Sequence, residues 1–403
     1  MSTSRYQEFQ SPHLGGCPKD IEDFGKLMDE DGSTLYETEY SGLLRKIIKL
    51  NDVAALDRYL TTNTTKGVLG LGDSHLDDPF WIAAAYGSTD ALRVLLMHWD
   101  AADPSTRLDV PAPDMRGYGL LQTACESAHV ETVHFLLDGP WQATYGDIHA
   151  INRCGSTALL AAAASFVDSG YPSDRNSHNS IRSYLACAEE VMKLLLDRGA
   201  SVHDTIIKHH EPDDTVLSLA ISGASLALVK RLIDLGADVN VKMTHDFIDS
   251  GLYGTFGPDS IKDVIPLHIG SQYSNVGGIQ AVLDHARDTE GVNVVQHADS
   301  FGRLPLHWAA WGADLELYRF EAEEIVARAT ATVELLLAAD PSTVNAQDMG
   351  GCKGTEDTEG THKRARHTVA TRHDVGEAGV YGLLSRFSRL RTLIQNGFRQ
   401  IHP

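Results

Sequence analysis

Leu304-Pro305-Leu306-His307-Trp308-Ala309-Ala310-Trp311-Gly312 is the stretch that decides the fold. A proline opens a short alanine-rich helix that ends at a glycine. The phrase returns, varied, at Asp78-Pro79-Phe80-Trp81-Ile82-Ala83-Ala84-Ala85-Tyr86-Gly87 and at Ile265-Pro266-Leu267-His268-Ile269-Gly270. Its partner phrase, Val229-Lys230-Arg231-Leu232-Ile233-Asp234-Leu235-Gly236-Ala237-Asp238-Val239-Asn240, reads as a second helix closed by a glycine and a turn. The chemistry of each phrase is local. Proline loses no hydrogen bond at the first helical position. Thr157 and Thr215 can cap a helix by accepting from an orphan backbone N–H. Gly199 and Gly236 suit a left-handed helix end.

Working outward, seven such openings align near Gly42, Asp78, Gly119, Thr157, Thr215, Ile265 and Leu304, at spacings of 36, 41, 38, 58, 50 and 39 residues. Paired small residues (Ala83/Ala84, Ala124/Cys125, Ala162/Ala163, Ala309/Ala310) let neighbouring first helices approach closely, while Leu92, Leu95 and Leu96, or Val133, Leu136 and Leu137, give the second helices their apolar stripe. The shortest intervals approach the period of about 33 residues of one repeat class. On these residues the chain resembles the ankyrin-repeat family over roughly residues 40–350. The resemblance implies an all-α solenoid of about seven helix-turn-helix units with hairpin fingers between them and a divergent C-terminal helix. The first unit, with Ile47 and Ile48 where alanines are usual, suits a terminal, capping repeat.

The expected organisation is a polar, acidic and poorly ordered segment over 1–40, an array over 41–351, a polar linker over 352–379 and a basic amphipathic helix over 380–399. Insertions fall at 165–185, 242–263 and 313–327. The first and third run into second helices and read as lengthened helices. The segment 242–263 lies where the array would project a finger, and it carries Phe247, Tyr253 and Phe256 among three glycines. These aromatics, with Trp141 and Tyr145 before the fourth unit, are the candidate partner-binding residues, because aromatics are favoured at interface centres. The competing reading is that they fold back on the array.

Composition narrows the function. The formal charge is −21, and from Cys352 onward there are 9 Lys and Arg against 5 Asp and Glu, so the body before it carries a net −25. Such a body repels phosphate backbones and attracts a basic partner surface. Five cysteines without a CxxC pair fit a reducing compartment. No apolar run reaches the roughly 20 residues that a membrane span needs, and no signal-peptide pattern opens the chain. An intracellular protein, cytoplasmic or nuclear, is expected.

Catalytic motifs are missing. There is no phosphate loop, HExxH, GxSxG elbow or zinc-ligand spacing. In the family, the histidine at the place of His268 and His307 makes structural hydrogen bonds between units. No cofactor, metal or catalytic residue is expected. The leading reading is a non-catalytic adaptor for a protein partner, such as a transcription factor or another basic-surfaced protein. The layout is similar to ankyrin-containing fungal regulators, but residues 1–40 hold 3 basic against 9 acidic residues and lack their basic DNA-contacting segment. Alternative readings are an enzyme or ligand-binding protein with a pocket formed by the insertions, and a fragment of a larger signalling protein. The end of the array departs from the pattern: Val344 to Gly351 announces another unit, but no Pro-Leu-His phrase follows. The tail then carries an apolar stripe (Leu383, Leu384, Phe387, Leu390, Leu393, Ile394). It reads as a cap, as a partner-binding helix, or as the product of a gene-model or splicing accident.

Overall fold

The computed structural model describes residues 26–28, 34–37, 42–62, 78–103, 112–113, 117–167, 178–208, 211–245, 261–289, 293–312, 322–346 and 348. They form helical hairpins in chain order: α1 (Leu43–Lys49) and α2 (Val53–Thr62); α3 (Pro79–Ala85) and α4 (Thr89–Ala101); α5 (Leu120–Glu126) and α6 (Val130–Asp138), followed by the single turn α7 (Gln142–Tyr145). Then come α8 (Ala158–Ala164) and α9 (His178–Asp197); α10 (Val216–Ala220) and α11 (Leu226–Asp234); α12 (Pro266–Gln272) and α13 (Val276–Asp288); and α14 (Pro305–Gly312) and α15 (Ala322–Ala339). Each first helix starts just after the residue expected from the repeat phrase, from Gly42 to Leu304. Asp78 accepts from the N–H groups of Phe80 and Trp81. Thr157 caps Leu160, and Thr215 caps Ser218 with the serine returning a bond to the Thr215 N–H.

Two compact units divide these hairpins: residues 1–165 with 190–200, and 166–189 with 201–403, the boundary falling within α9. In the first unit the first helices α1, α3, α5 and α8 pack in succession, as do the second helices α2, α4 and α6. In the second unit α10, α12 and α14 form one row and α11, α13 and α15 the other. The reason lies in the side chains. Ala83, Ala84, Ala124, Cys125, Ala162 and Ala163 are fully buried, which brings the first-helix backbones together. Leu92, Leu95, Leu136, Leu195, Val229, Leu232 and Val282 are fully buried from the second helices, each burial worth about 1.5–3 kcal/mol.

The tight loops inside hairpins also tie neighbours. The His129 ring bonds the Ala85 carbonyl of the preceding hairpin at 2.9 Å, and the Asn275 amide donates to the carbonyls of Ile221 and Ala224, both at 2.8 Å. Gly87 occupies this loop position with φ +67°, and a Cβ there would stand 2.5 Å from the His129 ring. Ala128, Asn51 and Ser274 hold the same left-handed turn without being glycine.

Among the described residues, strands occur only in pairs. The acidic N-terminal segment, expected to be poorly ordered, contains an antiparallel pair, β1 (Lys26–Met28) and β2 (Thr34–Glu37); short paired backbone of this kind leaves no periodic signal over three or four residues. β3 (Thr205–Lys208) pairs with β4 (Glu211–Thr215), and β5 (Met243–His245) with β6 (Ile261–Val264). These last two are the bases of fingers, as expected from the turn-rich segments. The segment of Trp141 and Tyr145 differs: Pro140 and the flanking glycines there enclose a helical turn. α9 begins at His178 and α15 at Ala322; residues 168–177 and 313–321 of the insertions expected at 165–185 and 313–327 lie outside the described residues. The linker 352–379 and the helix expected over 380–399 lie outside the described residues.

Candidate protein-binding surface

In the second unit the fingers form consecutive layers. Met243, Ile261 and Val264 are buried, so the β5–β6 base faces the helices. The Thr215 hydroxyl of β4 points to the Met243 sulfur, at 3.9 Å. Lys242 and Asp263 pair across the outer side at 3.1 Å. The next finger joins on: the Ser300 N–H donates to the Lys262 carbonyl, and the Lys262 N–H to the Ser300 hydroxyl.

That finger is built on a buried carboxylate. Asp299 Oδ1 accepts from the N–H groups of Phe301 and Arg303, and Oδ2 accepts from Arg303 Nε and Trp308 Nε1, both at 2.9 Å. Gly302 makes the turn at φ +76°. Asn152 holds the corresponding turn of the first unit by accepting from Cys154 and Ser156. Beneath the β5–β6 finger, His268 is fully buried. Its Nδ1 accepts from the Ile265 N–H, so Nε2 carries the hydrogen and donates to the Arg303 carbonyl of the next hairpin. Burial holds this ring neutral, with its pKa lowered to about 4. The rings of His297 and Trp308 stand against it, and His245 against Trp308. The polar groups of this cluster are organised around each other, and among the described residues no group of three His, Cys, Asp or Glu side chains could hold a metal ion.

Beside the Lys242–Asp263 ion pair the fingers of the second unit leave two apolar side chains outside. Ile207 on β3 is 68% exposed and Phe301 40% exposed; Arg303 lies over the Phe301 ring. Between them in sequence lie Phe247, Tyr253 and Phe256, which are outside the described residues. In the first unit Ile151 is 68% exposed on its finger. Trp141 is half-buried: its ring rests on Phe135 and its Nε1 donates to Asp100 at 2.7 Å. Tyr145, also half-buried, ends the same helical turn. Ile151, Ile207 and Phe301 were not anticipated. Isolated apolar residues in finger turns carry no periodicity, and the available signal was their position just before a first-helix phrase.

The fold and this surface define a helical-hairpin repeat protein. No family model matches the sequence. A curated relative, the ankyrin repeat and KH domain-containing protein mask-1 of Caenorhabditis elegans, is 20% identical over 239 residues, 55% of this chain; the match spans 9% of that protein's length. Among solved structures, the human ASB11 ankyrin repeat domain is 17% identical with a TM-score of 0.39, covering 69% of this chain and 98% of that one. The predatory endopeptidase Bd0816 of Bdellovibrio bacteriovorus in complex with the immunity protein Bd3460 gives 15% identity and a TM-score of 0.38, covering 62% and 97%. The repeated hairpins and finger bases have the all-α ankyrin-repeat architecture, and the sequence is similar to that of an ankyrin-repeat protein. Ankyrin repeats generally mediate protein–protein interaction and are typically non-catalytic. Among the described residues no helix is long and apolar enough to cross a membrane.

Proposed function

We propose that this chain is a non-catalytic protein–protein interaction scaffold, a regulatory adaptor such as a transcription coregulator that acts through protein contacts. The observation that supports this most directly is the finger edge of the second unit. Ile207 and Phe301 are exposed there on hairpin bases held by buried Met243, Ile261, Val264 and the Asp299 turn. Exposed apolar side chains on a rigid base lose little conformational freedom on binding, which is where interface affinity concentrates. The net negative body would steer a basic protein surface toward this edge and disfavour nucleic acid. Phe247, Tyr253 and Phe256 would extend the contact.

The test is affinity capture of the full chain from its native cell, comparing wild type with Ile207→Asp/Phe301→Asp and with Leu226→Ser, at an exposed site at the start of α11. A protein held by wild type and by Leu226→Ser, and lost from the double variant, is the expected result. Equal recovery by all three would refute the finger edge as the contact. For the regulatory role, deletion should change a reporter's transcription; an unchanged transcript profile would remove it.

A further inference from the structure

The last described hairpin, α14–α15, differs from its predecessors in three ways that coincide. At the fourth position of the first-helix phrase, two earlier hairpins reach into the next finger: Gln122 Nε2 donates to the Ala150 carbonyl at 2.7 Å, and His268 Nε2 to that of Arg303 at 3.2 Å. In α14 the Leu304 N–H donates to His307 Nδ1 at 3.1 Å, which again leaves the hydrogen on Nε2, yet this buried Nε2 has no partner. Second, Ala310 is half-buried, whereas Ala84, Cys125, Ala163, Ile221 and Ser271 at the same repeat position are completely buried. Third, Leu337 is half-buried, whereas its counterparts Leu96, Leu137, Leu196, Ile233 and Leu283 are buried.

A following hairpin would correct all three, and the sequence does not supply one in register. Asp348 stands where Asp299 stands in the preceding unit, but the place of Leu304–Ala310 is taken by Lys353-Gly354-Thr355-Glu356-Asp357-Thr358-Glu359. That stretch has no proline and no apolar side chain to bury. An unpaired buried N–H and an incompletely covered leucine are costly, and repeat ends require covers. Further along, Leu383, Leu384, Phe387, Leu390, Leu393 and Ile394 recur at helical spacing. The intervening residues 351–382, at about 3.3 Å per extended residue, can reach any point on this face.

We propose that this C-terminal stripe covers the far face of α14–α15 in the place of the missing hairpin, closing the second unit from within the same chain. Charge agrees with the assignment. Arg386, Arg389 and Arg391 flank the stripe, the residues from Cys352 onward are net positive, and α15 presents Glu323 and Glu334 at its exposed positions. This inference stands independently of any partner at the finger edge.

The experiment places photoreactive p-benzoylphenylalanine at position 387 of the full chain and maps the products after irradiation at low micromolar concentration. A crosslink within one chain to peptides of residues 305–339 is expected. Crosslinks between two isotopically distinct copies, crosslinks to other regions, or none would overturn the proposal. A second arm follows amide hydrogen exchange in wild type and in Phe387→Asp/Leu390→Asp. Exchange across 305–339 should accelerate about 10-fold or more on loss of the cover, with residues 79–101 unchanged. Unaltered protection of 305–339 would likewise refute it.

Discussion

Replacing His268 by glutamine separates the two things this ring does. It donates a hydrogen bond to the next hairpin, and it must remain neutral to stay buried. Gln122 shows that a glutamine at this repeat position can make the equivalent bond, through Nε2 to the Ala150 carbonyl. At pH 7.5 the variant should therefore fold, losing about 1 kcal/mol because the Ile265 N–H no longer has the imidazole Nδ1 as acceptor. The larger effect is on pH dependence. With a folded pKa of about 4 against about 6.5 unfolded, the unfolded chain binds the additional proton as pH falls between these values. The contribution to stability is thus complete above about pH 6.5 and declines toward pH 4. Linkage puts the loss between pH 7.5 and pH 5 at about 2 kcal/mol for this residue. Glutamine does not titrate, so His268→Gln should lose about 2 kcal/mol less than wild type over that interval. Urea denaturation followed by circular dichroism at the two pH values measures the difference. Wild type and variant losing equal stability would refute the claim that burial of His268 destabilises its charged form.

Other perturbations follow from single contacts. Gly87→Ala should cost about 2–3 kcal/mol in urea unfolding, since the left-handed backbone adds about 1–2 kcal/mol of strain and the new Cβ would meet the His129 ring at 2.5 Å. Gly199→Ala, equally left-handed but with nothing within 4 Å of the new Cβ, should show the strain alone; equal losses at the two sites would count against the His129 contact. Asp299→Ala removes the acceptor shared by Arg303, Trp308 and two backbone amides, leaving a buried guanidinium without its carboxylate. A loss of about 3–5 kcal/mol is expected, read by urea unfolding and by faster amide exchange across residues 299–310.

The repeating part of the fold was legible because its causes are local. A proline at a first helical turn, a capping Asp or Thr, a pair of small residues and a left-handed glycine each act within a few positions, and six of the first helices carry one or more of these signals, the first (Leu43–Lys49) being the exception. The finger edge was less legible. Trp141 reads as an exposed aromatic in a turn, but its N–H is satisfied by Asp100 and its ring by Phe135, and Asp100 lies 41 residues away. Nothing in a single turn announces such a partner. Asp299 poses the same difficulty: an aspartate in a finger reads as solvated, yet the Arg303 and Trp308 side chains of the following phrase fold over it. Ile207 went unremarked because one exposed isoleucine in a short strand has no pattern to violate.

The same distinction bears on where function can reside. Positions that recur from hairpin to hairpin are committed to packing or to bonds between neighbours, as with Ala83 and Ala84, Gln122, His268 and Asn275. A substitution at any of them is felt first as stability. The finger segments face the opposite constraint. Their bases are fixed by Asp299, Ser300 and Met243, while Ile207 is mostly exposed and Phe301, under Arg303, is exposed on its outer side. Specificity in a protein of this construction therefore depends on residues whose loss leaves the fold unchanged. The affinity experiment is informative for that reason: Ile207→Asp/Phe301→Asp should abolish a contact while leaving the urea midpoint within the range of ordinary surface substitutions, about 0.5 kcal/mol per site. A double variant that lost its partner only because it unfolded would place these side chains with the core instead.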